Sequence, residues 1–198
     1  MQVGLSLIVF GILQLQLKVR QLGLDQLLGV PASLEQALEG EIEAVERRRV
    51  RFAGADEPLL IRARDVLLAG IPGDGRLAFC QGDINVFNYL FRSGQVVAVV
   101  DWEQARISDA RSDVGQLLAL SLLKGAPSVP ADEQPFALAY GAVRGEQLSG
   151  MVWFRARWLW ELAVIYHGWV GFSGSTPWYS HESVSALLEG AISELAHG

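Results

Sequence analysis

Two short apolar runs near the middle of the chain, residues 87–91 and 96–100, constrain the fold more than any other feature of the sequence. Both runs are rich in aromatic or β-branched residues, and only residues 92–95 (Arg-Ser-Gly-Gln) separate them. This pattern predicts a β-hairpin, because a serine-glycine pair between two such runs fits a tight turn. With that pair in the turn, residue 88 should lie opposite residue 99.

Three polar side chains flank the predicted hairpin at its open end. Asp83 and Asn88 precede or begin the first strand, and Asp101 directly follows the second. The expected pairing of the strands brings Asp101 beside the loop that contains the other two residues. Oxygen ligands with no cysteine or histidine nearby suit Mg²⁺, which usually shares its remaining positions with substrate phosphates.

These residue types fit phosphoryl transfer, in which a carboxylate orients the attacking hydroxyl while metal ions neutralise the phosphates. Asp83 then fits the base, and Asn88 and Asp101 fit the metal ligands. Taken singly, an aspartate or asparagine in a loop is better explained as a turn residue whose side chain satisfies its own backbone. The presence of Asp101 beyond the hairpin favours a shared site over that explanation.

Most of the remaining chain has the periodicity of helices. Residues 21–50 predict two helices broken at Pro31, and Ser33 can cap the second. One more strand is predicted upstream of the hairpin, at residues 77–80, and further helices are predicted at residues 58–69, 113–124, 132–143, 147–170 and 182–197. The expected fold class is therefore α+β and mostly helical, with a small strand cluster.

Composition excludes several classes of function. The chain has 16 basic and 22 acidic residues and a net charge of −6, and no basic stripe alternates with aromatic residues, so we expect no nucleic acid partner. Cys80 is its single cysteine, which excludes an internal disulfide and a thiolate metal cluster. A reducing compartment fits this cysteine usage, and we expect a cytoplasmic protein.

The first 17 residues contain no charged side chain, and three interpretations remain open for them. The length and the polar interruptions favour a buried or partner-facing helix over residues 1–20 rather than a membrane anchor, because a spanning helix needs roughly 20 apolar residues. An apolar segment of this kind is also a surface on which a partner chain or a missing lobe could pack.

Three segments together resemble the aminoglycoside phosphotransferase and choline kinase family. They are residues 79–90 (Phe-Cys-Gln-Gly-Asp-Ile-Asn-Val-Phe-Asn-Tyr-Leu), 99–103 (Val-Val-Asp-Trp-Glu) and 109–114 (Asp-Ala-Arg-Ser-Asp-Val). The resemblance implies that residues 21–198 form the carboxy-terminal lobe of a protein-kinase-like fold. It also implies ATP and Mg²⁺ as cofactors, and roles for four residues: Asp83 as catalytic base, Asn88 and Asp101 as magnesium ligands, and Asp113 as a brace beneath the catalytic loop.

Two departures from the family pattern bear on activity. Gln81 stands where the family has a loop-supporting histidine, although glutamine can still donate and accept hydrogen bonds. The chain has two lysines, Lys18 and Lys124, and neither follows a strand pattern; no glycine-rich loop precedes a strand. We therefore expect that the amino-terminal nucleotide lobe is absent and that the chain is truncated.

Two functions follow as hypotheses. The first is an ATP-dependent phosphotransferase that acts on a hydroxyl group of a small molecule. The alternative is a non-catalytic remnant or a partner-dependent subunit that retains the carboxy-terminal lobe. The spacing of the aromatic residues favours core packing over an acceptor cage, which leaves Glu161 as a candidate acceptor contact. These aromatic residues lie at 153–160 and also include Tyr166, Trp169, Trp178 and Tyr179.

Overall fold

The computed structural model describes residues 29–52, 57–126, 130–131, 134–145 and 147–197. Its helices and strands follow in the order α1 (Leu34–Phe52), α2 (Pro58–Ala69), β1 (Leu77–Cys80), a 3-10 turn (Val86–Asn88), β2 (Tyr89–Arg92), β3 (Gln95–Val99), β4 (Arg106–Asp109), α3 (Arg111–Leu123), α4 (Pro135–Arg144), α5 (Met151–Ser173) and α6 (His181–His197). The predicted α+β, mostly helical fold class is confirmed. The helices predicted before Pro31 lie outside the described residues.

The strands form two separate antiparallel pairs, β1 with β4 and β2 with β3. We did not predict β4, because its sequence, Arg-Ile-Ser-Asp, has a single large apolar residue. Its partner β1 lies far upstream, with Leu77 opposite Asp109 and Cys80 opposite Arg106. This pairing anchors the loop that follows β1 against the start of α3.

The hairpin turn is as predicted, but the register beyond it differs by one residue. Ser93 (φ 50°) and Gly94 (φ 76°) both have the positive φ that a tight type I′ turn requires, and Arg92 lies opposite Gln95. A bulge between Leu90 and Phe91 then places Tyr89 opposite Val99. The expected pairing of Asn88 with Val99 is therefore wrong. The main-chain oxygen of Asn88 instead accepts a hydrogen bond from the nitrogen of Val100, at 2.9 Å.

The long helix α5 forms the centre of the hydrophobic core and packs against α1, α2, α3 and α6. The aromatic residues at 153–160 are buried here as predicted, whereas Trp169 and Trp178 are exposed, so the core prediction is wrong for those two. Two indole nitrogens of the buried set donate to main-chain oxygens of other elements. Trp153 donates to Leu67 in α2 at 2.9 Å, and Trp158 donates to Ser112 in α3 at 2.6 Å. None of the helices in the described ranges is long and apolar enough to cross a membrane.

Close contact between α3 and α5 depends on Gly115. A Cβ atom at this position would lie 2.7 Å from the main chain of Phe154 in α5. We expect Gly115→Ala to lower the free energy of unfolding by about 1–3 kcal/mol, because the two helices must separate. Gly190→Ala in α6 is the matched control: no atom lies within 4 Å of its added Cβ, so the substitution should stabilise the helix by roughly 0.5–1 kcal/mol. Urea unfolding of both variants measures the difference, and equal effects would contradict the close-contact explanation.

Candidate active site

The loop between β1 and β2 brings Asp83 and Asn88 into direct contact. The side-chain nitrogen of Asn88 donates to the main-chain oxygen of Asp83 at 2.7 Å and to its Oδ2 at 3.0 Å. The other carboxylate oxygen of Asp83, Oδ1, accepts a hydrogen bond from Nε2 of Gln116 in α3, at 2.9 Å. Both oxygens of Asp83 are therefore held in fixed directions, which a group that orients a reacting hydroxyl requires.

Asp113 lies directly beneath this loop, in the first turn of α3. Its carboxylate is fully buried and accepts hydrogen bonds from the main-chain nitrogens of Gln81 (2.9 Å) and Gly82 (3.1 Å). Burial raises the pKa of Asp113 to about 6, although Arg106 and these two N–H groups act in the opposite direction. Asp113 therefore fixes the main chain of the loop as long as it is ionised.

Gln81 connects the two ends of the site. Its Oε1 accepts a hydrogen bond from the main-chain nitrogen of Asp83 at 2.9 Å, and its Nε2 donates to the main-chain oxygen of Asp101 at 2.7 Å. A glutamine thus uses both its acceptor and its donor to join the loop to the segment that follows β3.

Asp101 occupies an unusual backbone conformation at the end of the hairpin. Its φ of 60° lies in the left-handed region, which non-glycine residues rarely adopt outside functional or turn positions. The next residue, Trp102, anchors the segment by stacking on Phe79 in β1 with ring centroids 5.5 Å apart, and its indole nitrogen donates to Val99 at 2.9 Å. The Asp101 side chain is exposed. This position leaves its carboxylate accessible to a ligand.

The donor chemistry of these residues fits Mg²⁺. Asn88 uses its side-chain nitrogen on Asp83, and none of the described residues donates a hydrogen bond to its Oδ1 or to the carboxylate of Asp101. Among the described residues no group of three or more His, Cys, Asp or Glu side chains could hold a metal ion. A site with an amide oxygen and one or two carboxylates is nevertheless typical of Mg²⁺, because substrate phosphates and water complete its shell.

Glu161 lies elsewhere, inside the helical core. The residue is 1% exposed, and its carboxylate forms ion pairs with Arg48 of α1 and with Arg157. Nη1 of Arg157 lies 2.7 Å from Oε2 of Glu161, but the geometry is not that of a hydrogen bond. Both carboxylate oxygens therefore face arginines. The acceptor contact expected of Glu161 stays a prediction.

The sequence analysis did not predict a role for Gln116, although this residue holds two parts of the loop between β1 and β2. It contacts Asp83 as described, and its Oε1 accepts a hydrogen bond from the main-chain nitrogen of Ile84 at 2.7 Å. The available signal was its spacing, since residues three apart on a helix lie on one face. Gln116 follows Asp113 by that interval, so both project toward the same loop.

Comparison with known proteins identifies the family to which this sequence belongs. A sequence model of the phosphotransferase enzyme family matches residues 14–158. The chain belongs to this family, which confirms the resemblance inferred from the catalytic-loop motifs.

A solved structure shares the fold. It is a crystal structure, at 2.32 Å resolution, of a protein from Ralstonia eutropha JMP134 that is provisionally described as an aminoglycoside phosphotransferase. The two chains are 17% identical with a TM-score of 0.71, and the match covers 99% of this chain and 65% of the other. The chain thus spans about two thirds of the length of this relative in structure.

Proposed function

We propose that this chain supplies the acceptor-activating and metal-binding part of an ATP-dependent phosphotransferase that acts on a hydroxyl group of a small molecule. The observation that supports this function best is the fixed orientation of Asp83. Gln116 and Asn88 hold its two carboxylate oxygens, and Asp113 holds the main chain of its loop. Such preorganisation serves a group that acts on a reacting atom.

Each residue of the site has a distinct part in the proposed reaction. Asp83 accepts a hydrogen bond from the attacking hydroxyl, orients it and takes its proton as the new bond to phosphorus forms. Asn88 and Asp101 would hold Mg²⁺ through their side-chain oxygens. Bound there, the ion supplies positive charge that neutralises the phosphates of the nucleotide.

Gln81 replaces the loop-supporting histidine of the family without losing the connection. Its amide joins the main chain at Asp83 to the main chain at Asp101. The distance between the proposed base and the proposed metal ligand therefore depends on this neutral side chain. Since glutamine does not titrate, its support is independent of pH.

A second candidate function is a partner-dependent subunit. The favouring observation is a set of exposed apolar side chains on the hairpin and on the 3-10 turn before it: Val86, Phe87, Leu90, Phe91, Val97 and Val100. Phe87 is 81% exposed. Exposed apolar side chains concentrated on one hairpin are typical of an interface, so a partner protein could cover them in the active assembly.

Metal binding tests the proposed site without requiring turnover. We expect the chain to bind Mn²⁺, used as a paramagnetic substitute for Mg²⁺ and added without ATP because ATP itself chelates the ion, and we expect Asn88→Ala to weaken that binding about tenfold or more. Electron paramagnetic resonance of free Mn²⁺ measures the affinity. Glu39→Gln, an exposed carboxylate of α1, is the control and should bind as the wild type does.

Turnover tests the reaction itself. ADP release is measured with Mg²⁺, ATP and a panel of aminoglycosides, amino alcohols and sugars. Acceptor-dependent ADP release supports the phosphotransferase. Unchanged Mn²⁺ binding in Asn88→Ala, together with no turnover on any acceptor, would instead favour the partner-dependent subunit.

A further inference from the structure

The guanidinium group of Arg106, in β4, lies against the catalytic loop at Gly82. The φ of Gly82 is +83°, and a Cβ atom there would lie 2.6 Å from Nη1 of Arg106 and 2.1 Å from the main-chain oxygen of Gln104. Nη1 also donates to that oxygen at 3.3 Å. The guanidinium group of Arg106 and the main chain of Gln104 therefore both pack closely against the loop at Gly82.

On its other side, Arg106 is held by Glu41 of α1 at two points. Nη2 donates to Oε2 of Glu41 at 3.1 Å, and Nε lies 3.1 Å from Oε1. Glu41 is itself 4% exposed and fixed by three further groups: the hydroxyls of Ser108 and Ser112, and Nε of Arg157 at 3.1 Å. A two-point contact with so constrained a carboxylate sets the direction of the guanidinium.

Arg106 also supplies positive charge close to Asp113. The titratable groups that face Asp113 are Arg106 from β4, Glu41 from α1, Cys80 from β1 and Tyr89 from β2. Within the described part of the chain, Arg106 is the cation of this set. Burial disfavours the ionised form of Asp113, so the nearby guanidinium favours the form that accepts both loop N–H groups.

We propose that Arg106, oriented by Glu41, is a positioning residue that fixes the loop between β1 and β2 from the side of β4, by contact at Gly82 and by its charge beside Asp113. Its relevance to catalysis rests on the proposed function, whereas its effect on the loop does not. Arg106 does not contact Asp83 in this proposal; it acts on the loop that contains Asp83 through its contact at Gly82 and its charge beside Asp113. When Asp113 becomes protonated, the loop loses the ionised carboxylate that accepts hydrogen bonds from the main-chain nitrogens of Gln81 and Gly82.

The expected consequence is a pH-dependent loop whose midpoint depends on Arg106. Burial and charge place the pKa of Asp113 at about 6, so the amide signals of Gln81 and Gly82 should titrate near that pH in the wild type. Removing the cation makes ionisation of Asp113 harder and therefore raises the midpoint. In Arg106→Gln we expect a rise of about one pH unit or more.

Two-dimensional NMR of the intact chain, titrated from acid to neutral pH, measures these midpoints. Arg157→Gln is the matched control, because Arg157 shares Glu41 with Arg106, whereas Arg106 is the cation that acts most strongly on the pKa of Asp113; the midpoint in this control should stay within about half a pH unit of the wild type. An unchanged midpoint in Arg106→Gln, or an equal rise in both variants, would overturn the proposal.

Arg106→Lys keeps the test decisive if Arg106→Gln does not fold. Lysine retains the charge but not the two-point geometry of arginine, so the midpoint should remain near that of the wild type. Hydrogen exchange at the Gly82 amide should become at least about tenfold faster, since the contact that limits the loop is lost. Wild-type exchange in this variant would contradict the positioning role. No nucleotide or acceptor enters these measurements, so failure of the proposed phosphotransferase leaves their outcome readable.

Discussion

Asp83→Asn is expected to lower phosphoryl transfer by about 10²–10⁴-fold, the usual contribution of a general base. The substitution keeps the size and shape of the side chain but removes the basicity needed to take a proton from the acceptor hydroxyl. The oxygen of asparagine can still accept one of the two hydrogen bonds that Gln116 and Asn88 donate. The loop should therefore remain folded while the reaction slows.

The measurement separates chemistry from binding. The effect should appear in kcat with little change in KM for ATP, because the role proposed for Asp83 is in the reaction rather than in nucleotide binding. Glu39→Gln controls for the loss of one negative charge and should retain wild-type kcat. Thermal unfolding of both variants checks the fold, and an Asp83→Asn protein that keeps more than about a tenth of wild-type kcat would remove Asp83 as the base.

Sequence could predict the parts of the fold that local chemistry determines. The hairpin turn needs two residues that tolerate positive φ, and Ser93-Gly94 supplies them between two apolar runs. The start and end of α2 were also predictable, since Pro58 suits the first turn and Gly70 follows the last residue. These signals lie within a few residues of the structure that they specify.

Features that depend on distant partners were not predictable in this way. β4 is a strand because it pairs with β1, and the bulge in the hairpin has no signature in its own residues. Asp83, Asn88 and Asp101 were found from their positions around the predicted hairpin, and Asp113 was found from the family pattern. Their supports, Gln116, Arg106 and Glu41, come from three other elements, and the sequence does not show that these elements meet at one loop.

The ion-pair cluster around Glu41 joins α1, β4 and α5 beside the loop between β1 and β2. Arginines reach one buried carboxylate from two different elements, Arg106 from β4 and Arg157 from α5. Burial alone would raise the pKa of Glu41, but these two cations and the hydrogen bonds from Arg106 and Ser108 lower it from 4.5 to about 2. The carboxylate is thus ionised throughout the neutral and mildly acidic range.

Glu41→Gln should destabilise the protein by about 3–5 kcal/mol at pH 7, because it leaves the buried guanidinium group of Arg157 and the partly buried one of Arg106 without their shared anion. Glu43→Gln is the matched control on the same helix. Its ion pair with Arg47 spans 3.7 Å between side chains that are each 71% exposed, and its loss should change stability by less than about 1 kcal/mol. Urea unfolding at pH 7 compares the two variants, and similar effects would show that the buried cluster contributes no more than a surface pair.

The pH dependence of the same variant identifies the cause of the effect. Because the folded state depresses the pKa of Glu41 from 4.5 to about 2, its contribution is complete above pH 4.5 and is lost as the pH falls toward 2, by about 3 kcal/mol in total. Asp113 acts in the opposite sense, since its raised pKa makes the folded state more stable as the pH falls from about 6 toward 3.8. Glu41 is one of the groups that raise the pKa of Asp113, so the difference in unfolding free energy between wild type and Glu41→Gln also contains a change at Asp113 between about pH 6 and pH 3.8. This difference should therefore be constant above about pH 6 and should shrink as the pH falls from 3.8 toward 2. A difference that stays constant from pH 3.8 down to pH 2 would mean that Glu41 contributes through packing rather than charge.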